Sequence, residues 1–287
     1  MRSWSGAAPA KLNWHLEILG RAADGYHRLE TVFQTLAWAD TVRIDRRPGP
    51  ATARLTITDR RPQSISITTC PAGNDNLVVR AVEAYRRVAP DLGAIDIHLT
   101  KQLPIAGGLG GGSSDAAAVL RGLALLCPRP DFDLAGLARE LGADVAFFLI
   151  GGTAHGGDRG DRLTPLPDAP DRPIWLLLPA CACPTPAVFA ALSETERGPR
   201  QAHGPAAWAL GDPAEHLHNR LSDAAGRVSP LVTTLLQRLA AAGCRHLLAG
   251  SGSTVFSLDP PPAGLPARVF RTRLRSASDL DCIDLPA

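Results

Sequence analysis

The sequence predicts an α+β protein of two domains, and three observations carry that expectation. Much of the first hundred residues alternates apolar and polar side chains with a period of two, as half-buried strands do. Between and after these runs, apolar residues recur at helical spacing behind cap residues. A tract at 155–173 is rich in Gly, Asp, Arg and Pro, lacks periodicity, and marks a domain border, giving expected units of 1–160 and 161–287. A chain of 287 residues, 45% hydrophobic, is long enough to bury a sizeable core.

Residues 6–20 set Leu12, Trp14, Leu16 and Ile18 against Lys11, Asn13, His15 and Glu17, which reads as a strand with one apolar and one polar face. Lys11 and Asn13 then share the polar face, looking onto either a site or solvent. Asp24-Gly25 is a turn signal, and Tyr26 and His27 just beyond it are either an aromatic pair offered to a flat ligand or ordinary hairpin residues. Residues 29–47 and 55–68 continue as strands. Asn74-Asp-Asn76 caps a helix over 77–88, and Ile95, Ile97 and Leu99 give a further strand ending at Lys101.

The chain is organised around residues 103–120. Five of the six residues from Gly107 to Gly112 are glycine, and Ser113, Ser114 and Asp115 follow as cap and first-turn residues of an Ala-rich helix over 116–126. Glycines leading into a helix N-terminus let the backbone close around an anion, and a phosphate chain is the natural ligand. The P-loop pattern fails because Ser113 and Ser114 stand where Lys-Ser/Thr should be. A dinucleotide G-x-G-x-x-G is absent here and at 250–255, which disfavours an oxidoreductase. The loop therefore lacks a cation of its own. Of the 30 basic residues only Lys11 and Lys101 are lysines, so a lysine here marks a place where arginine does not serve.

After a break at Pro128 and Pro130, Asp133 caps a short helix stopping at Gly142. Asp144 precedes a wholly apolar run and by itself reads as a helix cap. Ile174 to Leu178 is a buried strand, Pro184-Thr-Pro186 opens a helix through Phe189, and residues 230–243 are helical. Gly250-Ser-Gly252 lies between two strands, where a tight hairpin explains it.

A net charge of +2, with no basic cluster interleaved with aromatics, argues against nucleic acid as a partner. The opening residues lack a signal-peptide core and no run of 18 apolar residues occurs, so no membrane association and a cytoplasmic location are expected. Six scattered cysteines read as free thiols.

With Lys11, the glycine loop, Asp144 and the 250–252 turn in hand, the chain resembles the GHMP kinases. The likeness is densest in Pro9-Ala-Lys-Leu-Asn-Trp-His-Leu-Glu-Ile-Leu-Gly20 and in Asp24-Gly-Tyr-His-Arg-Leu-Glu-Thr-Val-Phe-Gln34. It continues through 74–77, 104–114, 142–145, 184–186 and 250–256, and so covers nearly the whole chain. Those openings are most like the branch that phosphorylates diphosphocytidyl-methylerythritol in the non-mevalonate isoprenoid pathway. The resemblance implies the two-domain GHMP kinase fold, with an N-terminal mixed β/α domain bearing the phosphate loop and a smaller C-terminal α/β sandwich-like domain. It implies that Asp144 is a general base with Lys11 as its cationic partner. It implies that Pro104, Ile105, Ala106, Gly107, Gly108, Leu109, Gly110, Gly111, Gly112, Ser113 and Ser114 hold ATP. Tyr26, His27 and Phe189 would clasp a cytosine, with Asn13 and Thr185 as further substrate contacts. Magnesium is expected with the ATP, Ser114 being a candidate ligand, and the protein is expected as a monomer or weak homodimer. Ala146, Asp158, Asp161 and Ala249 depart from the family's usual residues, and Asp158 puts the contacts of the 155–161 loop in question.

Overall fold

The computed structural model describes residues 2–280 apart from 22–24, 26, 64–67, 199 and 201. Its frame is a pair of long antiparallel strands, β1 (Arg2–Arg21) and β2 (His27–Arg47). β3 (Ala53–Asp59) runs parallel to β4 (Ala94–Lys101), which pairs with residues 41–47 of β2. The other half of β2, residues 31–34, takes β5 (Thr153–Gly157), which turns into β6 (Arg162–Pro165). The expected border at 160/161 falls in the turn of that hairpin. There Asp158 has a φ of 61°, a left-handed conformation that a non-glycine residue seldom adopts.

Four helices cover one face of this sheet: α1 (Leu77–Arg86), α2 (Gly111–Leu126), α3 (Leu134–Leu141) and α4 (Ala143–Ile150). Trp4, Val42, Ile44 and Ile97 pack there against Val119, Leu123 and Phe147. Asn76 and Asp133 cap α1 and α3 as expected, accepting from Val78 and Gly136.

The second sheet is built on β7 (Pro173–Leu178). α5 (Thr185–Ala190) and α6 (Pro205–Trp208) follow, and β8 (His218–Asn219) returns to the first sheet beside β1. α7 (Ser222–Val228) and α8 (Pro230–Ala241) precede β9 (His246–Leu248), β10 (Val255–Ser257) and β11 (Arg268–Arg273), which complete the second sheet in the order β11-β7-β10-β9. Strand alternation divides β7 between two cores. Ile174, Leu176 and Leu178 meet Leu12, Val32 and Leu36 of the first sheet, while Leu177 meets Val232, Leu235 and Leu239. No helix among the described residues is long and apolar enough to cross a membrane. Cys70, Cys127, Cys181, Cys183 and Cys244 are free thiols, and Cys282 lies outside the described residues.

β1 departs from its expected two-faced pattern. Asn13 pairs with Phe33 but His15 pairs with Val32, so Trp14 is an extra residue on β1, a bulge that reverses the alternation beyond it. Lys11 and Asn13 stay on the helix side, whereas His15 and Glu17 turn to the opposite face. Both faces of the strand are buried, and the period of two could not reveal the reversal. Burial, with His218 beside it, pushes the His15 ring down to about 4, so that ring is neutral near pH 7.

Candidate active site

The glycine segment is clamped from two sides. Lys11 N–H donates to the Leu109 carbonyl at 3.0 Å, and Thr254 N–H donates to the Gly107 carbonyl at 3.2 Å. The second glycine turn thus belongs to the site, rather than serving only as a hairpin. At Gly108, with φ of 78°, an added Cβ would stand 1.9 Å from the Ala249 carbonyl oxygen. Helix α2 begins earlier than its sequence suggested, at Gly111, with left-handed Gly110 at the cap and no side chain capping it. Ser113, Ser114 and Asp115 therefore lie inside the helix. An N-terminus without a side-chain cap turns its first N–H groups toward whatever anion the glycines admit.

A cavity of about 810 Å³ opens before this loop, a size suited to nucleotide-like ligands. Its wall takes in residues 104–113 together with Lys11, Asn13, His27, Asp144, Thr185 and Phe189. Tyr26 lies outside the described residues, and Ser114 is wholly buried behind the wall.

Lys11 is 5% exposed, so its ammonium needs partners. It has Asp144 Oδ2 at 3.6 Å and donates to Asn13 Oδ1 at 2.9 Å. Asn13 Nδ2 donates to Thr31 Oγ1 at 2.7 Å, and that hydroxyl donates to the His15 carbonyl at 2.7 Å. This chain of bonds fixes the ammonium from the strand side. Asp144 is not the helix cap that it could have been, because Gly142 holds that position in α4. Its side chain is about one-third exposed, at 34%, and opens onto the cavity.

The other lysine lies beneath the loop. Lys101 Nζ donates to Asp115 Oδ2 at 2.7 Å and also pairs with Asp40, whose Oδ1 accepts from the Leu103 N–H at 2.9 Å. Burial disfavours the Lys101 charge, but Asp115 and Asp40 more than offset it and hold the ammonium above its ordinary range. Burial pushes the Asp115 carboxyl upward against the pull of Lys101. Ser114 Oγ and Asp115 Oδ1 have no hydrogen-bond partner among the described residues. Unsatisfied oxygens at a phosphate cradle fit a hard divalent cation arriving with the phosphates.

At the far end of the cavity the His27 and Phe189 rings lie 5.1 Å apart at 41°. Burial, with Arg197 nearby, lowers the His27 pKa, and its Nε2 has no partner among the described residues. Thr185 Oγ1 and Ser251 Oγ are 2.8 Å apart, tying α5 to the second glycine turn. Asn219 also braces that turn, its Nδ2 donating to the carbonyls of Leu248 and Gly250 at 2.8 Å each. Asn219, Thr31 and Asp40 carry no local sequence signal. Each acts on a partner distant in the chain.

Frame and cavity together define a small-molecule kinase of the GHMP class, and the family model for the GHMP kinases N terminal domain matches residues 76–152. The chain is 35% identical to the 4-diphosphocytidyl-2-C-methyl-D-erythritol kinase of Solibacter usitatus, a match covering 88% of this chain and 79% of the relative. Identity to the enzyme of the same name from Deinococcus radiodurans is 40%, over 88% of this chain and 82% of that one. A crystal structure of 4-(cytidine 5'-diphospho)-2C-methyl-D-erythritol kinase aligns with a TM-score of 0.75 at 33% identity, over 94% of this chain and 99% of that chain. The chain belongs to the 4-diphosphocytidyl-2-C-methyl-D-erythritol kinase family.

Proposed function

We propose that the protein transfers the γ-phosphoryl group of ATP to the 2-hydroxyl of 4-diphosphocytidyl-2-C-methyl-D-erythritol. The observation that carries this reading is the Lys11–Asp144 pair at 3.6 Å, on one cavity wall with the glycine cradle and the His27–Phe189 rings. Phosphoryl transfer asks a protein chiefly for positioning and for stabilisation of moving negative charge. The first N–H groups of α2 and the glycine backbone hold the phosphates. Asp144, open to the cavity, accepts the proton of the substrate hydroxyl as it attacks. Lys11, oriented by Asn13, offsets charge on the transferring group and keeps the carboxylate aimed.

His27 and Phe189 flank the cytosine, with Tyr26 as a third member. The unpartnered His27 Nε2 gives the base a hydrogen-bonding group inside an apolar clasp. Residues 1–160 supply the cradle and reacting groups, and 161–287 contribute Thr185 and Phe189. Magnesium would be held by Ser114 and Asp115 together with the nucleotide's own oxygens, and it would supply positive charge at the phosphates.

ADP release assayed with diphosphocytidyl-methylerythritol, homoserine, mevalonate and galactose tests the assignment. Turnover confined to the diphosphocytidyl substrate supports it. Preference for any of the other three overturns it.

A further inference from the structure

The bulge at Trp14 gathers a second set of polar side chains on the face of the first sheet turned away from the catalytic cavity. His15 pairs with Val32 and with His218 of β8, and Val32 pairs with His155 of β5, so the three histidines stand in one row across four strands. Glu17 and Glu30 pair in the neighbouring row. The segment 202–208 folds over this patch. Its His203 and Trp208 rings come within 5.7 and 4.7 Å of the His15 ring, centroid to centroid.

The two glutamates are engaged differently. Glu17 is taken by Arg220 and Arg200 and by the His218 ring. Glu30 is wholly buried without a basic Arg or Lys beside it among the described residues. Its Oε1 accepts from the Gly204 N–H at 2.7 Å and meets His155 Nε2 at 3.0 Å. Its Oε2 accepts from the His203 N–H at 2.9 Å and meets His203 Nδ1 at 3.1 Å. His15 is 6% exposed, and its Nε2, buried in this cluster, has no hydrogen-bond partner among the described residues. One ligand atom each from His15, Glu30 and His203 lies within 4.8 Å of the others.

We propose that His15, Glu30 and His203 form a binding site for a divalent transition-metal ion of the zinc type, separate from the catalytic cavity. Two imidazoles and one carboxylate suit Zn²⁺ or Co²⁺ and not Mg²⁺, and three protein ligands leave one position for water. Tetrahedral coordination at about 2.0–2.1 Å per nitrogen holds ligand atoms roughly 3.3 Å apart. The His203 side chain, 59% exposed, can move in to meet that spacing. His155 and the Gly204 N–H orient the carboxylate from behind, the usual task of groups just outside a metal's ligands. The bound ion would fasten segment 202–208 to the sheet, and metal binding to the folded state raises its stability.

The test uses untagged full-length protein, stripped with EDTA and titrated with Zn²⁺, and separately with Co²⁺ for its visible absorption, without nucleotide. The site predicts one equivalent of either ion, an intense four-coordinate Co²⁺ band, no competition from millimolar Mg²⁺, and a higher melting temperature with Zn²⁺. His155→Gln should weaken Zn²⁺ binding about 10- to 100-fold. His203→Ala and His15→Phe should weaken it at least as much, and the exposed position of His203 makes that variant the safer one to fold. Absence of stoichiometric binding overturns the proposal. So does wild-type Zn²⁺ affinity in His203→Ala, which would place the ion on other histidines or thiols.

Discussion

Gly108 and the Ala249 carbonyl meet backbone to backbone, in a space where a Cβ would lie 1.9 Å from the oxygen. The contact locks the phosphate loop onto the second glycine turn, which otherwise reads as a plain hairpin. No side-chain rotation can relieve such a clash, and the φ of 78° adds strain for any other residue. Gly108→Ala should therefore raise the ATP KM at least tenfold, about 1.4 kcal/mol, and lower the melting temperature. At Gly112 an added Cβ meets nothing within 4 Å, so Gly112→Ala should melt like the wild type. Steady-state kinetics and calorimetry decide; an unchanged ATP KM in Gly108→Ala contradicts the packing argument.

Lys101 neutralises two buried carboxylates, Asp40 and Asp115. Lys101→Met should cost about 3–5 kcal/mol in urea unfolding, the scale for stranding buried charge. The Asp115 carboxyl is raised above its ordinary 3.8, so the folded state binds that proton more tightly than the unfolded chain. Its contribution to stability is largest at low pH and is lost as pH rises from 3.8 through the raised value. Asp115→Asn should flatten that part of the stability profile. A slope identical to wild type in the variant would show that another group is responsible.

On the proposed reading, the His27–Phe189 pair grips the cytosine and not ATP. Phe189→Ala and His27→Ala should each raise the KM for diphosphocytidyl-methylerythritol roughly 5- to 150-fold, since base stacking is worth about 1–3 kcal/mol. The ATP KM should stay put. Equal shifts in both constants would mean that these rings support the cavity instead of gripping a base.

Ser114 tests the cation. If its unpartnered hydroxyl meets magnesium, Ser114→Ala should raise the Mg²⁺ concentration giving half-maximal rate, with folding intact because the position is small and buried. An unaltered magnesium dependence removes Ser114 from the metal's surroundings.

That the glycine run leads into a helix N-terminus was legible in the chain, because glycines ahead of an Ala-rich helix leave that end open, and the run lies on a cavity wall. The two lysines were legible by rarity, and both prove buried and paired. The reversal at Trp14 was not legible. A bulge changes no residue's polarity, so the alternation looked unbroken while His15 moved to the other face. The start of α2 was misplaced because Ser113 is a good cap residue, yet left-handed Gly110 took the position and left the helix end open. Asn219 and Asp40 were invisible for a third reason, since their partners are far off in the chain.

The proposed mechanism rests on the Lys11–Asp144 pair, and its most direct test is the kcat of Asp144→Asn under saturating ATP and substrate. The amide keeps the shape and removes the proton acceptor. We predict normal nucleotide binding and a kcat lower by roughly 10² or more, the scale of a positioned acid–base group. A kcat equal to that of the wild type would contradict the account.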